Sequence, residues 1–359
     1  MTLFKISNQP MRYQWGSTDL IPDFFGIPAD GQPMAEIWFG THKTSPAIVL
    51  DETGGNLLER VGELPFLVKF LAAATPLSIQ AHPSRSRAKQ AFAQSHPSYQ
   101  DDNHKPELII ALTEFRALCG FRPKAELEED LKKLATATIH LAGLWGAYES
   151  AGLQGAMNWI YSCEEKAVGQ LVANAPVLGR RRSRLIEELF ELYPGDRGIL
   201  VSVLMNLIVL QPGESMFLPA GNIHAYLFGL GVEVMAASDN VLRGGLTSKP
   251  IDVKELLKVL DYQELAEPRI RQKKILNGLW QLPVEVSDFS VYKIEPSATN
   301  LLVDLELQGS AIVVCVSGEI TLSTSKDELL SLRPGEAGFM ADARLFSVSG
   351  AGTGYLTMG

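Results

Sequence analysis

The chain has 359 residues, more than the ~250–300 at which a single hydrophobic core usually stops growing, so one small module is excluded and two or three domains are expected. Hydrophobic residues make up 46% and charged residues 20%, which excludes bulk disorder. The formal net charge of −9 argues against a broad surface for the phosphate backbone of nucleic acids.

The compartment follows from what the sequence lacks. Its first residues contain no uninterrupted apolar segment and no small-residue cleavage site, so no signal peptide is predicted. The longest apolar stretch, residues 198–210, is interrupted by Ser202 and Asn206 and is shorter than the ~20 residues needed to span a bilayer. The 3 cysteines are odd in number and widely separated, which excludes a disulfide framework and a cysteine-based zinc site. We therefore expect a cytoplasmic protein without membrane or nucleic-acid partners.

The secondary-structure pattern changes twice along the chain. Residues 1–125 combine short β-rich runs with Gly and Pro, which is typical of irregular antiparallel strands, and one helix is predicted over residues 84–94. Leucines recur at spacings of three and four over residues 124–192, which indicates a helical segment. Strands are predicted to resume at Ile199, and residues 251–260 form an amphipathic helix before a β-rich end. The predicted fold is mainly β with an α-helical insert.

A short internal repeat marks two related turns. The pattern Leu-x-Pro-Gly-Glu-x-x-Phe occurs at residues 210–217 and again at residues 332–339. Each copy is predicted to be a turn that enters a strand. Eleven residues after its glycine the first copy has His224, whereas the second has Phe346, so only the first copy is equipped to bind a metal.

Two motifs place polar side chains on common strand faces. In residues 76–83, the two-residue period of a strand puts Ser78, Gln80 and His82 on one face. In residues 104–111, Pro106 favours an extended backbone, and the same period directs Lys105 and Glu107 the same way. The other histidines match no ligand spacing and are assigned structural roles, namely His42, His96 and His140.

A third motif, residues 213–224, has Gly, five residues, Pro-x-Gly, two residues and His224. It resembles the second motif of the cupin superfamily, a jelly-roll β-barrel with a metal inside. Phe228 stands where cupins usually have Asn, and Gln80-Ala-His82 replaces the His-x-His of the first motif.

These departures disappear when the whole set is compared with type I phosphomannose isomerases. The resemblance extends nearly end to end, over motifs at residues 13–16, 34–40, 77–83, 103–108 and 233–249. That family binds its metal through Gln, His, Glu and His in this order along the chain. The resemblance therefore implies a metal site formed by Gln80, His82, Glu107 and His224.

The resemblance also implies an architecture and an activity. Residues 1–125 with 196–265 would form a metal-bearing jelly roll, residues 126–195 a helical domain, and residues 266–359 a second jelly roll without a metal site. The family implies reversible isomerisation of mannose 6-phosphate and fructose 6-phosphate with one Zn²⁺ per chain, in support of mannose metabolism and activated-mannose synthesis. Other divalent metals fit the mixed nitrogen and oxygen ligands as well. We expect a monomer.

Aldose–ketose exchange moves a proton between C1 and C2 through an enediol, so it requires a base, an acid or electrophile, and exclusion of water. The fixed charge and planar fork of Arg243 suit the developing enediolate, and the resemblance places the catalytic arginine here. Three candidates for the base stay open: Lys105, His104 and Glu233. His104 is also a candidate for opening the sugar ring.

A phosphate group needs hydroxyl and ammonium donors, which Ser78 and Lys249 would supply at positions that match the family. Two alternatives stay open. One is an iron-dependent cupin oxygenase with a facial triad of His82, Glu107 and His224. The other is a sugar-phosphate sensor that binds its ligand without turnover.

Overall fold

Two large antiparallel sheets form most of the molecule. The computed structural model describes residues 2–297, 299–324, 328–342 and 344–359. Within these residues the chain forms twenty strands, nine α-helices and one short 3₁₀ helix. The prediction of a mainly β protein with helical segments is confirmed.

The strands divide between two sheets of ten. In chain order the strands are β1 (Thr2–Ser7), β2 (Glu36–Phe39), β3 (Ile48–Val49), β4 (Phe66–Ala73), β5 (Ile79–Ala81), β6 (Glu107–Ala111), β7 (Phe115–Phe121), β8 (Met205–Leu210), β9 (Ser215–Leu218), β10 (His224–Ala236), β11 (Leu242–Gly245), β12 (Arg269–Ile270), β13 (Lys273–Leu276), β14 (Leu279–Leu282), β15 (Ser290–Ile294), β16 (Leu302–Glu306), β17 (Ala311–Thr324), β18 (Leu329–Leu332), β19 (Ala337–Ala341) and β20 (Leu345–Met358). The first sheet contains β2 and β4 to β12, and the second contains β1, β3 and β13 to β20.

Three short strands lie in the sheet opposite to the one that the predicted domain boundaries suggest. At the N-terminus, β1 pairs with β19, and β3 pairs with β1, so both belong to the second sheet. Conversely, β12 pairs with β9 of the first sheet. Each sheet thus contains at least one strand from the part of the chain assigned to the other domain. The division into domains stays a prediction.

The helices lie mainly between β7 and β8. They are α1 (Leu20–Phe25), α2 (Leu57–Val61), α3 (Arg85–Ala93), α4 (Lys124–Ala137), α5 (Ile139–Ser162), α6 (Lys166–Asn174), the 3₁₀ helix (Ala175–Leu178), α7 (Arg180–Leu192), α8 (Gly198–Leu204) and α9 (Val253–Val259). The predicted helices at 84–94, 124–192 and 251–260 are confirmed. In the described part of the chain, no helix has both the length and the apolar character required to cross a membrane.

The prediction that strands resume at Ile199 is wrong, because residues 198–204 form α8 and the next strand starts at Met205. Every residue of α8 is buried. A helix buried on all sides has no amphipathic period, so its apolar, β-branched sequence resembles a buried strand. At its start, Oδ1 of Asp196 accepts a hydrogen bond of 2.6 Å from the backbone N–H of Gly198.

Both copies of the internal repeat adopt the same turn, as predicted. In each copy the glycine has a positive φ, +88° at Gly213 and +85° at Gly335. This backbone conformation is easily adopted only by glycine, because other residues carry a Cβ atom. The glutamate carboxylate accepts a hydrogen bond of 2.8 Å from the backbone N–H three residues before it. The strands β9 and β19 then begin at corresponding positions.

The strand β4 shows how the first sheet separates a core from a site. All eight of its residues are buried. Phe66, Val68 and Phe70 belong to a hydrophobic cluster that also contains residues of the second sheet. The alternate positions point away from that cluster, with Leu67 and Leu71 in two other clusters. Because successive side chains of a strand alternate between its faces, Lys69 lies on the same face as Leu67 and Leu71, away from the shared cluster.

Candidate active site

Three strands bring the four predicted ligands to one place. Gln80 is the central residue of β5, and His82 follows directly after that strand. Glu107 begins β6, and His224 begins β10. The register pairs Gln80 with His224 across β5 and β10. Strand pairing thus joins segments that are 144 residues apart in sequence.

The ligand atoms form a tight, buried cluster. Nε2 of His82 lies 3.3 Å from Oε1 of Glu107, and Nε2 of His224 lies 3.3 Å from Oε2 of the same carboxylate. The amide nitrogen of Gln80 lies 3.2 Å from Nε2 of His224. The histidine and glutamate ligand atoms all lie within 4.8 Å of one another, so this group could bind a metal ion.

Backbone carbonyls orient both imidazoles. Nδ1 of His82 lies 2.7 Å from the carbonyl oxygen of Asn240, and Nδ1 of His224 lies 3.1 Å from that of Asn222. A carbonyl only accepts, so Nδ1 carries the proton in both rings. In this tautomer each Nε2 presents a lone pair to the carboxylate, as in metal sites whose histidines donate their other N–H to the protein.

Two atoms of the cluster lack a partner that would satisfy them. Nε2 of His82 and Oε2 of Glu107 are buried and make no hydrogen bond. Buried polar atoms without a partner destabilise a fold by about 1–3 kcal/mol each. A divalent cation between the lone pairs of nitrogen and oxygen would remove that penalty, so the residues present fit a metal ion.

The protonation states of the cluster also suit a metal. Burial lowers the pKa of His82 to about 4, which keeps the imidazole neutral at physiological pH. Burial alone would raise the pKa of Glu107, but nearby positive charge, above all that of Lys105, outweighs it and holds that pKa well below its usual value. Metal ligands must be deprotonated to bind, and both groups are.

The cluster opens onto a cavity of about 460 Å³, which is within the range of small-molecule sites. Seven of the ten predicted site residues line it: Ser78, Gln80, Lys105, Glu107, Glu233, Arg243 and Lys249. Lys105 approaches the cluster most closely, with its Nζ atom 3.0 Å from Oε1 of Glu107. The aromatic part of the wall comes from Tyr13, Trp15, Trp38, Tyr193 and Tyr226.

The same wall contains a buried ion-pair cluster that no sequence motif indicates. The Nζ atom of Lys69, a residue of β4, lies 2.9 Å from Oε2 of Glu233 and 3.3 Å from Oε1 of Glu36. Burial alone would lower the pKa of Lys69, but the surrounding carboxylates outweigh it and raise that pKa. For Glu233, burial is the largest effect and raises the pKa. A lone Lys in an otherwise apolar strand was the available signal.

Two further cationic side chains of the cavity wall come from β11 and the loop that follows it. Arg243 lies on β11, and Lys249 follows four residues after that strand. The helical part of the chain holds this loop in place. Asp196 accepts hydrogen bonds from the backbone N–H of Leu246 (2.9 Å) and of Thr247 (3.2 Å), and the Tyr161 hydroxyl donates to the carbonyl oxygen of Gly244 (2.6 Å).

Two histidines lie elsewhere than expected. His104 is not part of the cavity wall; its Nε2 lies 2.9 Å from Oδ2 of Asp288, a residue of the segment between β14 and β15. His42, which was assigned a structural role, lines the cavity, and its Nε2 lies 3.0 Å from Oδ2 of Asp239. His42 and Asp239 are 197 positions apart, so no local motif pairs them.

Comparisons with known proteins show which family this chain is similar to. Residues 3–124 match the family model "Phosphomannose isomerase type I, catalytic domain". The mannose-6-phosphate isomerase of Escherichia coli (strain K12) is 33% identical over 94% of each chain. The human enzyme of that name is 36% identical and covers 82% of this chain and 81% of its own.

The fold is shared as well. A crystal structure of a substituted form of phosphomannose isomerase from Salmonella typhimurium has a TM-score of 0.91 and 31% sequence identity, and the match covers 100% of this chain and 99% of that one. Similarity thus extends over most of the chain in sequence and over all of it in structure. The chain belongs to the type I phosphomannose isomerase family.

Proposed function

We propose that this protein interconverts mannose 6-phosphate and fructose 6-phosphate, and that it thereby supplies mannose metabolism and activated-mannose synthesis. The observation that carries the proposal is the buried cluster of His82, Glu107 and His224, whose Glu107 lines a cavity together with Arg243 and Lys249. The relatives named above carry the name mannose-6-phosphate isomerase, and the matches cover 94% and 81% of their lengths.

The proposed metal site consists of Gln80 through its amide oxygen, His82 and His224 through Nε2, and Glu107 through its carboxylate. We propose Zn²⁺, which takes nitrogen and oxygen ligands of this kind; other divalent metals also fit. A bound cation would act as a Lewis acid toward the oxygens on C1 and C2 of the sugar. The neutral imidazole of His82 and the ionised carboxylate of Glu107 support this assignment.

We place proton transfer with Lys105 and Glu233, the two base candidates whose side chains line the cavity. The ammonium group of Lys105 lies beside the cluster, where it can donate a proton to a substrate oxygen. Burial raises the pKa of Glu233 toward the range in which a carboxylate acts as a base near neutral pH. His104, outside the wall, acts in this proposal only on the segment that carries Lys105.

Arg243 is proposed to stabilise the enediolate, because its guanidinium can donate two parallel hydrogen bonds to neighbouring oxygens. Lys249 and Ser78 are proposed to bind the phosphate. Both lie in the cavity wall, together with Thr247 and Ser248. An ammonium and several hydroxyl groups meet the charge and the acceptor oxygens of a phosphate group.

The test is a coupled assay that follows conversion of mannose 6-phosphate to fructose 6-phosphate. We expect turnover in metal-replete protein, loss after treatment with EDTA, and recovery when Zn²⁺ is added back. Lack of turnover in folded, metal-replete protein would contradict the proposal. Binding of the sugar phosphate without product would indicate a sensor, and oxygen uptake with Fe(II) would indicate an oxygenase.

A panel of aldose phosphates and of unphosphorylated mannose would define the substrate class. Because Ser78 and Lys249 are assigned to the phosphate, we expect unphosphorylated mannose to be a poor substrate. Replacement of Lys249 by Met should remove most of that preference, while Lys124→Met is the matched control. Lys124 is an exposed lysine that starts α4 and is not part of the cavity wall.

A further inference from the structure

We propose that Asp288, contributed by the second sheet, is a positioning residue for the metal site in the first sheet. It lies between β14 and β15 and belongs neither to the ligand cluster nor to the cavity wall. Its carboxylate joins the two chain segments that carry His82 and Glu107. This gives the second sheet, which has no ligand histidine in its copy of the repeat, a role in the reaction. The inference rests on the metal site proposed above.

The contacts form a closed triangle. Oδ2 of Asp288 lies 2.9 Å from Nε2 of His104, and Oδ1 accepts a hydrogen bond from a terminal nitrogen of Arg85. The same guanidinium nitrogen of Arg85 lies 2.7 Å from Nε2 of His104. The side chain of Asp288 is 5% exposed, whereas that of Arg85 is 43% exposed. A carboxylate this well buried is stable only when it is paired.

The two partners of Asp288 are close to the ligands along the chain. Arg85 begins α3, three residues after His82, and His104 lies three residues before Glu107. Three residues span at most about 10 Å, so fixing their outer ends restricts where the ligands can move. Pro83 and Pro106 lie within these segments and stiffen them further.

A hydrogen-bond path continues from His104 to a ligand. Oδ1 of Asn103 accepts a hydrogen bond from the backbone N–H of His104 (3.0 Å), and the backbone carbonyl oxygen of Asn103 accepts one from Nδ2 of Asn240 (2.8 Å). The carbonyl of Asn240 in turn accepts from Nδ1 of His82 (2.7 Å). The contact to Asp288 therefore bears on both the position of the chain and the orientation of the His82 ring.

The experiment measures the release of Zn²⁺ from the reconstituted full-length protein into a coloured chelator, together with the melting temperature of the metal-free protein. We expect Asp288→Asn to release Zn²⁺ about tenfold faster than wild type, at the low end of the 10–100-fold losses seen for groups that touch a ligand. Arg85→Gln should act in the same direction. Since Arg85 is half-exposed, this second variant tests the contact even if Asp288→Asn fails to fold.

Lys5→Gln is the matched control, because it removes the Lys5–Glu336 ion pair (2.8 Å) of the second sheet, away from both ligand segments. Faster release in Asp288→Asn and Arg85→Gln, but not in the control, supports the inference. Unchanged release, or equal acceleration in all three variants, overturns it. A wild-type protein that retains no Zn²⁺ would overturn the metal site of the proposed function, and this inference with it.

Discussion

Gln80 and Arg243 are register partners on the neighbouring strands β5 and β11, and both side chains line the cavity. Directly opposed residues of an antiparallel pair project from the same face with their Cβ atoms about 5 Å apart. A proposed metal ligand and the proposed enediolate-binding cation are therefore neighbours through backbone pairing. On its other side Gln80 pairs with His224. The strand β5 therefore lies between β10 and β11 and sets the distance between the ligand His224 and Arg243.

Replacing Arg243 by Ala is expected to lower kcat/KM by about 10²–10³-fold, the usual loss when one donor to a developing oxyanion is removed. Arg243→Lys should recover only part of the activity, because an ammonium lacks the planar fork. The coupled assay measures both. Zn²⁺ content should stay at the wild-type level, since Arg243 is not a proposed ligand. Normal kcat/KM in a folded Arg243→Ala protein would contradict the assignment.

Lys69→Met is expected to lower the free energy of unfolding by about 3–5 kcal/mol, because it leaves the carboxylates of Glu36 and Glu233 buried without their cation. Urea unfolding of the metal-free protein measures the loss. Adding Glu233→Gln to Lys69→Met should restore part of the stability, because one of the two uncompensated charges is then removed. If the double variant is less stable than Lys69→Met, electrostatic repulsion is not the cause.

Asp196→Ala is expected to raise KM for the sugar phosphate roughly 10–100-fold, because small misplacements of binding groups are costly. The carboxylate holds the backbone of Leu246 and Thr247 just before Lys249, and Leu246 has a φ of +52°, a conformation that only surrounding contacts maintain. Steady-state kinetics measure the change.

Asp196→Asn keeps a carbonyl acceptor, so its KM should lie between those of wild type and Asp196→Ala. The control is Asn56→Ala, since Asn56 caps α2 by accepting from the backbone N–H of Glu59 (2.9 Å) and does not line the cavity. It should lower stability by about 1 kcal/mol and leave KM unchanged. Equal KM values in all these proteins would show that the loop does not depend on Asp196.

Glu255 is expected to make the protein sensitive to acid. Burial alone would raise its pKa, but hydrogen bonds from Arg87, Tyr99 and Lys258 outweigh burial and lower the pKa below the ordinary 4.5. A carboxylate whose pKa is lowered on folding stabilises the fold above pH 4.5, and that stability is lost as the pH falls through the folded pKa. Glu255→Gln should therefore be less stable than wild type near neutral pH, with the difference shrinking below pH 4.5.

Urea unfolding at about pH 7 and about pH 3.5 checks this linkage. The side chain of Glu255 is 1% exposed, and its Oε1 atom accepts hydrogen bonds of 2.6 Å from Arg87 and 2.8 Å from Tyr99, so we expect a loss of about 1–3 kcal/mol at the higher pH. A difference between the two proteins that does not change with pH would contradict the assigned pKa shift.

Local patterns were sufficient for much of the fold. The helix α3 was predictable because Ser84 caps it and accepts from the backbone N–H of Arg87. The repeated turns were predictable because glycine at positive φ and a capping glutamate are local features. In contrast, α8 was missed since burial on every side erased the period that distinguishes a helix from a strand.

The sequence alone indicates the ligand set because each member sits in a motif: Gln80 and His82 at alternate positions of one segment, Glu107 after a proline, and His224 after a glycine-rich turn. Sequence similarity joined these motifs into one site. Their spacing in three dimensions follows from the register of β5, β6 and β10, in which hydrogen bonds between distant segments fix the geometry.

Several features that surround the site have no local pattern at all. The ion pairs of Lys69, the His42–Asp239 pair and the contact of Asp288 with His104 all join residues from different sheets, strands or loops, and the last two pairs span 197 and 184 positions. Composition and motifs identified the chemistry, because residue type sets what a side chain can bind. Which charged side chains meet in the interior depends on how the two sheets pack. A buried charge requires an oppositely charged partner, and that partner comes from a distant segment that only the folded chain brings close.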